Sequence, residues 1–184
     1  EILNGDIHVT NMKAAGIGSR DLSKKFIYTY IFGGGDLLIG LIVGGGAKEG
    51  KKLKAQFLES LPALAKLKDN VAQSAAKGYI TGLDGRKVFI RSEHAALNSL
   101  LQSAGAIIMK QALIILDKYA ILWGIDYKFV GNIHDEFQVE VRADQADKFG
   151  RLATDCIVAA GLHYNLRCPL AGDYKVGDSW AETH

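Results

Sequence analysis

The sequence has few of the features that assign a chain to a secreted, zinc-binding or membrane class. Only two of its 184 residues are cysteine and only two are proline. Cys156 and Cys168 have the spacing of neither a redox pair nor a zinc site, so we expect two free thiols in a reducing cytosol. The longest apolar runs are short and interrupted by glycine, so we expect no membrane-spanning segment and a cytoplasmic location.

The net charge is small, because 22 Lys and Arg residues oppose 20 Asp and Glu residues and leave a formal charge of +2. The distribution of this charge is uneven. Segment 48–91 contains ten basic and four acidic residues, whereas segment 134–184 contains five basic and nine acidic residues. A basic middle can follow a phosphate backbone and an acidic end can hold metal ions. The alternative is that the basic and the acidic segments each form an ordinary solvent-exposed surface that binds no ligand.

Hydrophobic periodicity and turn residues predict an α+β protein, in which helices pack on a small antiparallel sheet. The glycine triplets at 33–35 and 44–46 lack the flanking strand and Lys of a phosphate loop, so we interpret them as helix ends. Asp6, Asp36 and Ser92 are candidate helix caps. The predicted helices are about 7–15, 19–32, 36–43, 48–59, 62–77, 92–122 and 143–160, and the predicted strands are 79–81, 87–91, 127–133, 137–141 and about 173–176. We divide the chain into a helical segment 1–78 and a segment 79–184 with the long helix and a hairpin, the two forming one partial domain.

The most informative stretch is the predicted helix 19–32, in which Arg20, Lys24, Tyr28 and Phe32 recur at every fourth position. Residues four apart lie along one face of a helix. The two cations strengthen the preference of the helix start for anions, and the two rings offer a flat surface for a base or sugar. The pattern favours a nucleoside triphosphate site. A solvated basic face with aromatic residues in the core is the alternative.

A second cluster is His134-Asp135-Glu136, which falls at the turn of the second predicted hairpin. Asn-Gly or Asp-Gly is the favoured composition of such a turn. Adjacent carboxylates repel unless a positive charge lies beside them, and Mg²⁺ supplies that charge. Successive strand residues face opposite ways, so Asp135 and Glu136 need not contact the same ion. An exposed acidic turn is the alternative.

A third pattern is the polar series His94, Asn98 and Gln102, again at steps of four on the predicted long helix. The small residues Gly105 and Ala106 follow and leave room for a bulky ligand. Every base pair presents acceptors in the DNA minor groove, and Asn and Gln can donate to them without reading sequence. A solvent-facing stripe is the alternative.

Taken in order, these motifs resemble the C-terminal part of a family A DNA polymerase, the bacterial DNA polymerase I type, and most closely the polymerases of short-tailed phages. Segment 20–33 resembles the fingers-helix motif of that family, and segments 83–86 and 100–106 resemble its thumb-side and palm segments. His134-Asp135-Glu136 matches the catalytic hairpin of the palm. The two segments of the chain would then be a fingers-like part and a C-terminal palm part of one polymerase domain.

The resemblance implies a nucleotide-binding role for the residues of the helix 19–32. Arg20 and Lys24 would hold the triphosphate of the incoming nucleotide, and His8 would add a phosphate contact. Tyr28 would stack near the sugar and base and exclude a ribose 2′-hydroxyl. Phe32 stands where the family usually has Tyr, so contacts to the templating base are expected to differ.

The resemblance also implies catalytic and DNA-binding positions. Lys24 and Asp135 would be catalytic, with Asp135 as a metal ligand and Glu136 as a supporting carboxylate. The residues expected to contact DNA at the primer terminus or along the backbone are Arg86, His94, Asn98, Gln102 and His134.

The function implied is template-directed transfer of a dNTP to the 3′ end of a DNA primer, by a mechanism with two Mg²⁺ ions. The family's other metal-binding Asp would fall before Glu1. An upstream polypeptide would supply it, and we expect this chain alone to be inactive. The expected partners are primer–template DNA, dNTP, the upstream fragment and a second copy of the chain. A non-catalytic fragment that binds nucleotide or DNA is the alternative.

Overall fold

The structure is a computed structural model that describes residues 5–92 and 95–183. The described elements are, in chain order, α1 (Ile7–Ala15), α2 (Arg20–Ile31), α3 (Asp36–Ile42), α4 (Ala47–Ser60), α5 (Pro62–Ala75), β1 (Tyr79–Thr81), β2 (Lys87–Phe89), α6 (Ala96–Leu122), β3 (Tyr127–Ile133), β4 (Glu136–Val141), a 3₁₀ turn (Ala143–Gln145), α7 (Ala146–His163) and α8 (Trp180–Thr183). β1 pairs with β2 and β3 with β4, both antiparallel. The α+β class is confirmed, although the strands form two separate hairpins where one sheet was predicted.

The described chain divides into two compact units. The first consists of residues 5–81, 87–92 and 95–101, and the second of 82–86 and 102–183. The long helix α6 therefore begins in the first unit and ends in the second. The proposed division after residue 78 into fingers-like and palm segments stays a prediction.

The core of the first unit is built around aromatic rings from α2 and α4. Phe57 of α4 meets Phe26 edge-on, with ring centroids 5.2 Å apart, and lies 5.7 Å from the ring of Tyr30. Ser23, Phe26 and Tyr30 are the buried residues of α2. Their spacing of three and four places them on one helix face, so the opposite face of α2 points to solvent.

α3 and α4 approach each other closely enough to require glycine. A Cβ atom at Gly50 would overlap the backbone carbonyl oxygen of Asp36, and one at Gly40 would overlap that of Gly46. These two glycines therefore fix the contact between the helices that follow α2.

The core of the second unit lies between the β3–β4 hairpin and the helices α6 and α7. Phe137, Val139 and Val141 pack against a buried cluster that includes Leu116 and Phe149. This confirms that these strand residues share one face. The pairing slips between Phe129 and Gly131, which leaves an irregularity in β3.

Two local predictions were wrong. Gly35 is the N-cap of α3, and Asp36 is its first helical residue, with its carboxylate 2.9 Å from Nζ of Lys54. Asp36 is thus held by an ion pair and does not cap the helix. Residues 173–176 form no strand. Tyr174 instead lies against Gly150 of α7 and donates a hydrogen bond to Asp147. The predicted cap at Ser92 depends on positions 93 and 94, which lie outside the described residues.

α6 is long and apolar enough to cross a membrane by length and composition, with a mean hydropathy of 1.5 over its most apolar window. The apolar runs were expected to be too short for this, and α6 is the one helix among the described residues that meets the criterion. Helices of soluble proteins meet the same criterion, so length and composition alone assign α6 no membrane location.

Candidate nucleotide and metal site

The predicted stripe of α2 lies on its solvent face. Arg20 and Lys24 are exposed, and Tyr28 and Phe32 are 49% and 55% exposed. The alternative in which these two rings belong to the core is therefore wrong. An open groove of about 560 Å³ follows this face. Its lining consists of Asp21, Lys24, Lys25, Tyr28 and Thr29.

α1 brings His8 to the same face. Asp6 caps α1, with the backbone N–H groups of His8 and Val9 donating to its side chain, and this places His8 in the first turn. The His8 ring lies 6.4 Å from that of Tyr28. Nδ1 of His8 is buried and has no hydrogen-bond partner in the part of the chain described here. A buried nitrogen without a partner costs free energy.

Arg20 forms an ion pair that the sequence did not predict. Its Nε donates to Oδ2 of Asp6 over 2.6 Å. The guanidinium holds the pKa of the Asp6 carboxyl below its usual value, mainly through this hydrogen bond. Fourteen positions separate the two residues. No helical or strand spacing relates them, and only the packing of α1 on α2 brings them together.

The second hairpin carries the predicted carboxylates. His134 has a positive φ of 54°, and β4 begins at Glu136, so the turn is shorter than predicted. Asp135 is exposed and forms no ion pair or hydrogen bond with another described side chain. Glu136 is half-buried and accepts a hydrogen bond from the side-chain amide of Gln138. Sequence reasoning missed the contact with Gln138.

Two carboxylates alone do not complete a metal centre. Within residues 5–92 and 95–183, no group of three or more His, Cys, Asp and Glu side chains is arranged to hold a metal ion. Mg²⁺ commonly takes one or two carboxylates and completes its shell with water and substrate phosphates. The exposed carboxylate of Asp135 is a group of the type that Mg²⁺ binds; its role as a metal ligand, with Glu136 as a supporting carboxylate, stays a prediction.

The predicted DNA-binding residues are distributed over both units. Arg86 is exposed and its Nη2 lies 2.6 Å from Oδ2 of Asp84. Asn98 is half-buried, and its Oδ1 has no partner among the described residues. Gln102 is exposed on α6. His94 lies outside the described residues.

Comparison with known proteins identifies the family. Residues 5–182 match DNA polymerase family A. The DNA-directed DNA polymerase of Escherichia phage Phieco32 is 42% identical over 190 residues, which cover the whole chain and 31% of the phage protein. The DNA-directed DNA polymerase of Escherichia phage T7 is 41% identical over 206 residues, covering the whole chain and 29% of that protein.

A solved structure has the same fold. It is the POL domain of Pol1 from M. smegmatis in complex with DNA primer-template and dNTP, and it superposes with a TM-score of 0.75 at 21% identity. The match covers 86% of this chain and 32% of the mycobacterial chain. The chain belongs to DNA polymerase family A, as its motifs predicted, and spans under a third of the length of these relatives.

Proposed function

We propose that this chain supplies the nucleotide-binding surface and part of the catalytic centre of a DNA-directed DNA polymerase in the cytoplasm. The observation that carries the proposal is that α1 places His8 6.4 Å from Tyr28, on the exposed face of α2 that also carries Arg20, in a chain whose family is established. Along this face the cations Arg20 and Lys24 precede the rings Tyr28 and Phe32, and the groove beside it is lined by Lys24 and Tyr28 among others. This order matches a nucleoside triphosphate, with phosphates toward Arg20 and the base toward Phe32.

Lys24 is the group that we expect to stabilise the triphosphate most directly. Its ammonium forms no ion pair with a described carboxylate, so its charge is available to a ligand. Phosphoryl transfer depends on positioning and on charge neutralisation far more than on covalent chemistry of the protein. A free cation over the groove supplies such neutralisation, and Tyr28 would fix the sugar beside it.

We propose that Asp135 holds a catalytic Mg²⁺ with Glu136 in support. Bound metal ions would neutralise charge on the attacking and leaving oxygens of the transferred phosphate. Asp135 fits this role because its carboxylate is exposed and free of a described counter-ion, whereas Gln138 orients Glu136. The remaining carboxylate would come from a polypeptide upstream of Glu1.

The DNA would contact the chain through the remaining predicted residues. The long side chain of Arg86 can exchange its carboxylate partner Asp84 for a backbone phosphate. Asn98, Gln102 and His134 would line the primer terminus, and His94 would add a further contact. Phe32 keeps the ring expected beside the templating base and lacks a hydroxyl.

The second unit also exposes apolar surface for a partner polypeptide. Ile114, Ile121 and Leu122 of α6 are 63%, 66% and 71% exposed, and Val130 of β3 is 66% exposed. We propose that the upstream part of the polymerase covers this surface, and that a second copy of the chain covers it when that part is absent. Sedimentation across the micromolar range tests this, since a monomer throughout would contradict it.

The decisive experiment is Mg²⁺-dependent primer extension on a short primer–template with all four dNTPs. It compares the chain alone with a fusion in which the chain replaces the matching segment of the Phieco32 polymerase. We expect no product from the chain alone and extension by the fusion. Asp135→Ala should abolish extension by the fusion, whereas the matched control Asp144→Ala, which changes an exposed Asp outside the site, should not.

Two results would contradict the proposal. Extension by the chain alone would show that a carboxylate within these residues completes the metal site. Extension by the fusion that survives Asp135→Ala would support a non-catalytic fragment that binds nucleotide or DNA.

A further inference from the structure

Asp6 contacts two helices at once through its two carboxylate oxygens. Oδ1 accepts hydrogen bonds from the backbone N–H groups of His8 at 2.8 Å and Val9 at 3.3 Å, which caps α1. Oδ2 accepts from Nε of Arg20 at 2.6 Å. A single carboxylate therefore joins the start of α1 to the first residue of α2.

The capping role alone does not require Asp at this position. Ser, Thr, Asn and Asp all serve as helix caps, because each provides one side-chain oxygen. Of these four, only Asp has a second anionic oxygen for a guanidinium. Asn would offer an N–H₂ group in its place, which cannot accept a hydrogen bond from Nε of Arg20.

The ion pair fixes the orientation of the Arg20 guanidinium. A guanidinium is planar and presents five N–H donors in a rigid fork. Asp6 occupies the donor at Nε, and no hydrogen bond to another described residue uses the Nη donors. Because Asp6 holds one edge of the guanidinium plane, the direction of the opposite edge is also fixed. The Arg20 side chain is 50% exposed, so this opposite edge is accessible to a ligand.

We propose that Asp6 is a positioning residue that orients Arg20 toward the phosphates of an incoming nucleotide. This inference rests on the proposed function. His8 comes from the turn that Asp6 caps, so one carboxylate sets both helices that carry the phosphate-binding side chains. Repulsion between Asp6 and the phosphates is offset locally, because its charge is compensated by Arg20 and by the N-terminus of α1.

The test is a double-mutant cycle on dATP binding by the 184-residue chain, measured by calorimetry, with inorganic tripolyphosphate as a second probe. Exposed ion pairs contribute modestly, so Asp6→Asn should weaken binding of both probes about two- to fivefold. In an Arg20→Gln background the same change should have no further effect. Asn is also a good cap, so the helix content by circular dichroism should not change.

A matched control exists in the second unit. Nε of Arg142 donates to Oδ1 of Asp144 over 2.6 Å, and both side chains are exposed. Asp144→Asn breaks a pair of the same geometry outside the site and should leave the affinity for dATP unchanged. In nuclear magnetic resonance spectra, Asp6→Asn should move the Nε–H signal of Arg20 and leave that of Arg142 in place.

The possible outcomes separate this inference from the proposed function. If Asp6→Asn leaves binding unchanged, tightens it, or weakens it equally in the Arg20→Gln background, Asp6 does not position Arg20. An Arg20 Nε–H signal that is unmoved in Asp6→Asn would refute the ion pair itself. If the unmodified chain binds neither dATP nor tripolyphosphate, the proposed function falls, and the positioning role falls with it even where the ion pair is confirmed.

Discussion

Phe57 packs against the buried face of α2, so its removal should loosen the candidate nucleotide site without touching it. The residue is 2% exposed, and its ring meets two aromatic rings on the buried face of α2. Truncating a buried Phe to Ala costs about 3–5 kcal/mol through lost burial and the cavity that remains. Part of this cost is the loss of the two aromatic pairs, each of which contributes about 0.5–1.5 kcal/mol beyond burial. We therefore expect Phe57→Ala to destabilise the first unit by about 4 kcal/mol.

The assay is amide hydrogen exchange along α2 and α4, which reports the free energy of opening of these helices. Phe57→Leu keeps most of the buried volume and loses both ring pairs, so it should cost about 1–3 kcal/mol, less than the change to Ala. Phe89→Ala is the matched control, because Phe89 belongs to the same unit and is 77% exposed. The affinity of Phe57→Ala for dATP should fall in proportion to the fraction of molecules in which α2 is open.

One result would refute this reasoning. If Phe57→Ala and Phe89→Ala lower the free energy of opening by the same small amount, the aromatic cluster does not stabilise α2. Its solvent face would then be ordered by the ion pair with α1 or by the ligand.

Three further predictions concern charge and thiol chemistry. Lys24→Ala should weaken dATP binding about tenfold and leave DNA binding nearly unchanged, because a charge-assisted bond to phosphate contributes about 1.5–3 kcal/mol. Lys13→Ala is the control. Equal losses of dATP binding and DNA binding would contradict the role of Lys24 in binding the triphosphate. The Asp6 carboxyl has a lowered pKa in the folded chain, so its stabilising effect is complete above the unfolded pKa and is lost as the pH falls through the folded pKa. In acid unfolding, the Asp6→Asn variant should lack the loss of stability that protonation of Asp6 causes in the unmodified chain. Identical acid-unfolding curves for the two proteins would contradict this prediction. Burial raises the pKa of the Cys156 thiol to about 11, so a disulfide reagent at pH 8 should modify the more accessible Cys168 first, as peptide mapping would show.

The motifs of the sequence located much of the candidate site before the structure was known. The step of four from Arg20 to Phe32 predicted a shared helix face, because the periodicity of a helix fixes which residues are neighbours. The alternation of β4 predicted which of its residues pack inward. The predictions of a helix cap at Asp36 and of a strand at 173–176 were wrong for the same reason. The ion pair of Asp36 and the contacts of Tyr174 involve residues distant in sequence, which local patterns do not reveal.

The sequence by itself determined the family, the helical stripe and the acidic hairpin, since each is written in local spacing and composition. Only the tertiary structure decided that the rings of Tyr28 and Phe32 face solvent, that His8 approaches Tyr28, and that Asp6 binds Arg20. These relations depend on how α1, α2 and α4 pack together. Packing is set by many weak contacts between residues far apart in the chain, and no short stretch of sequence encodes it.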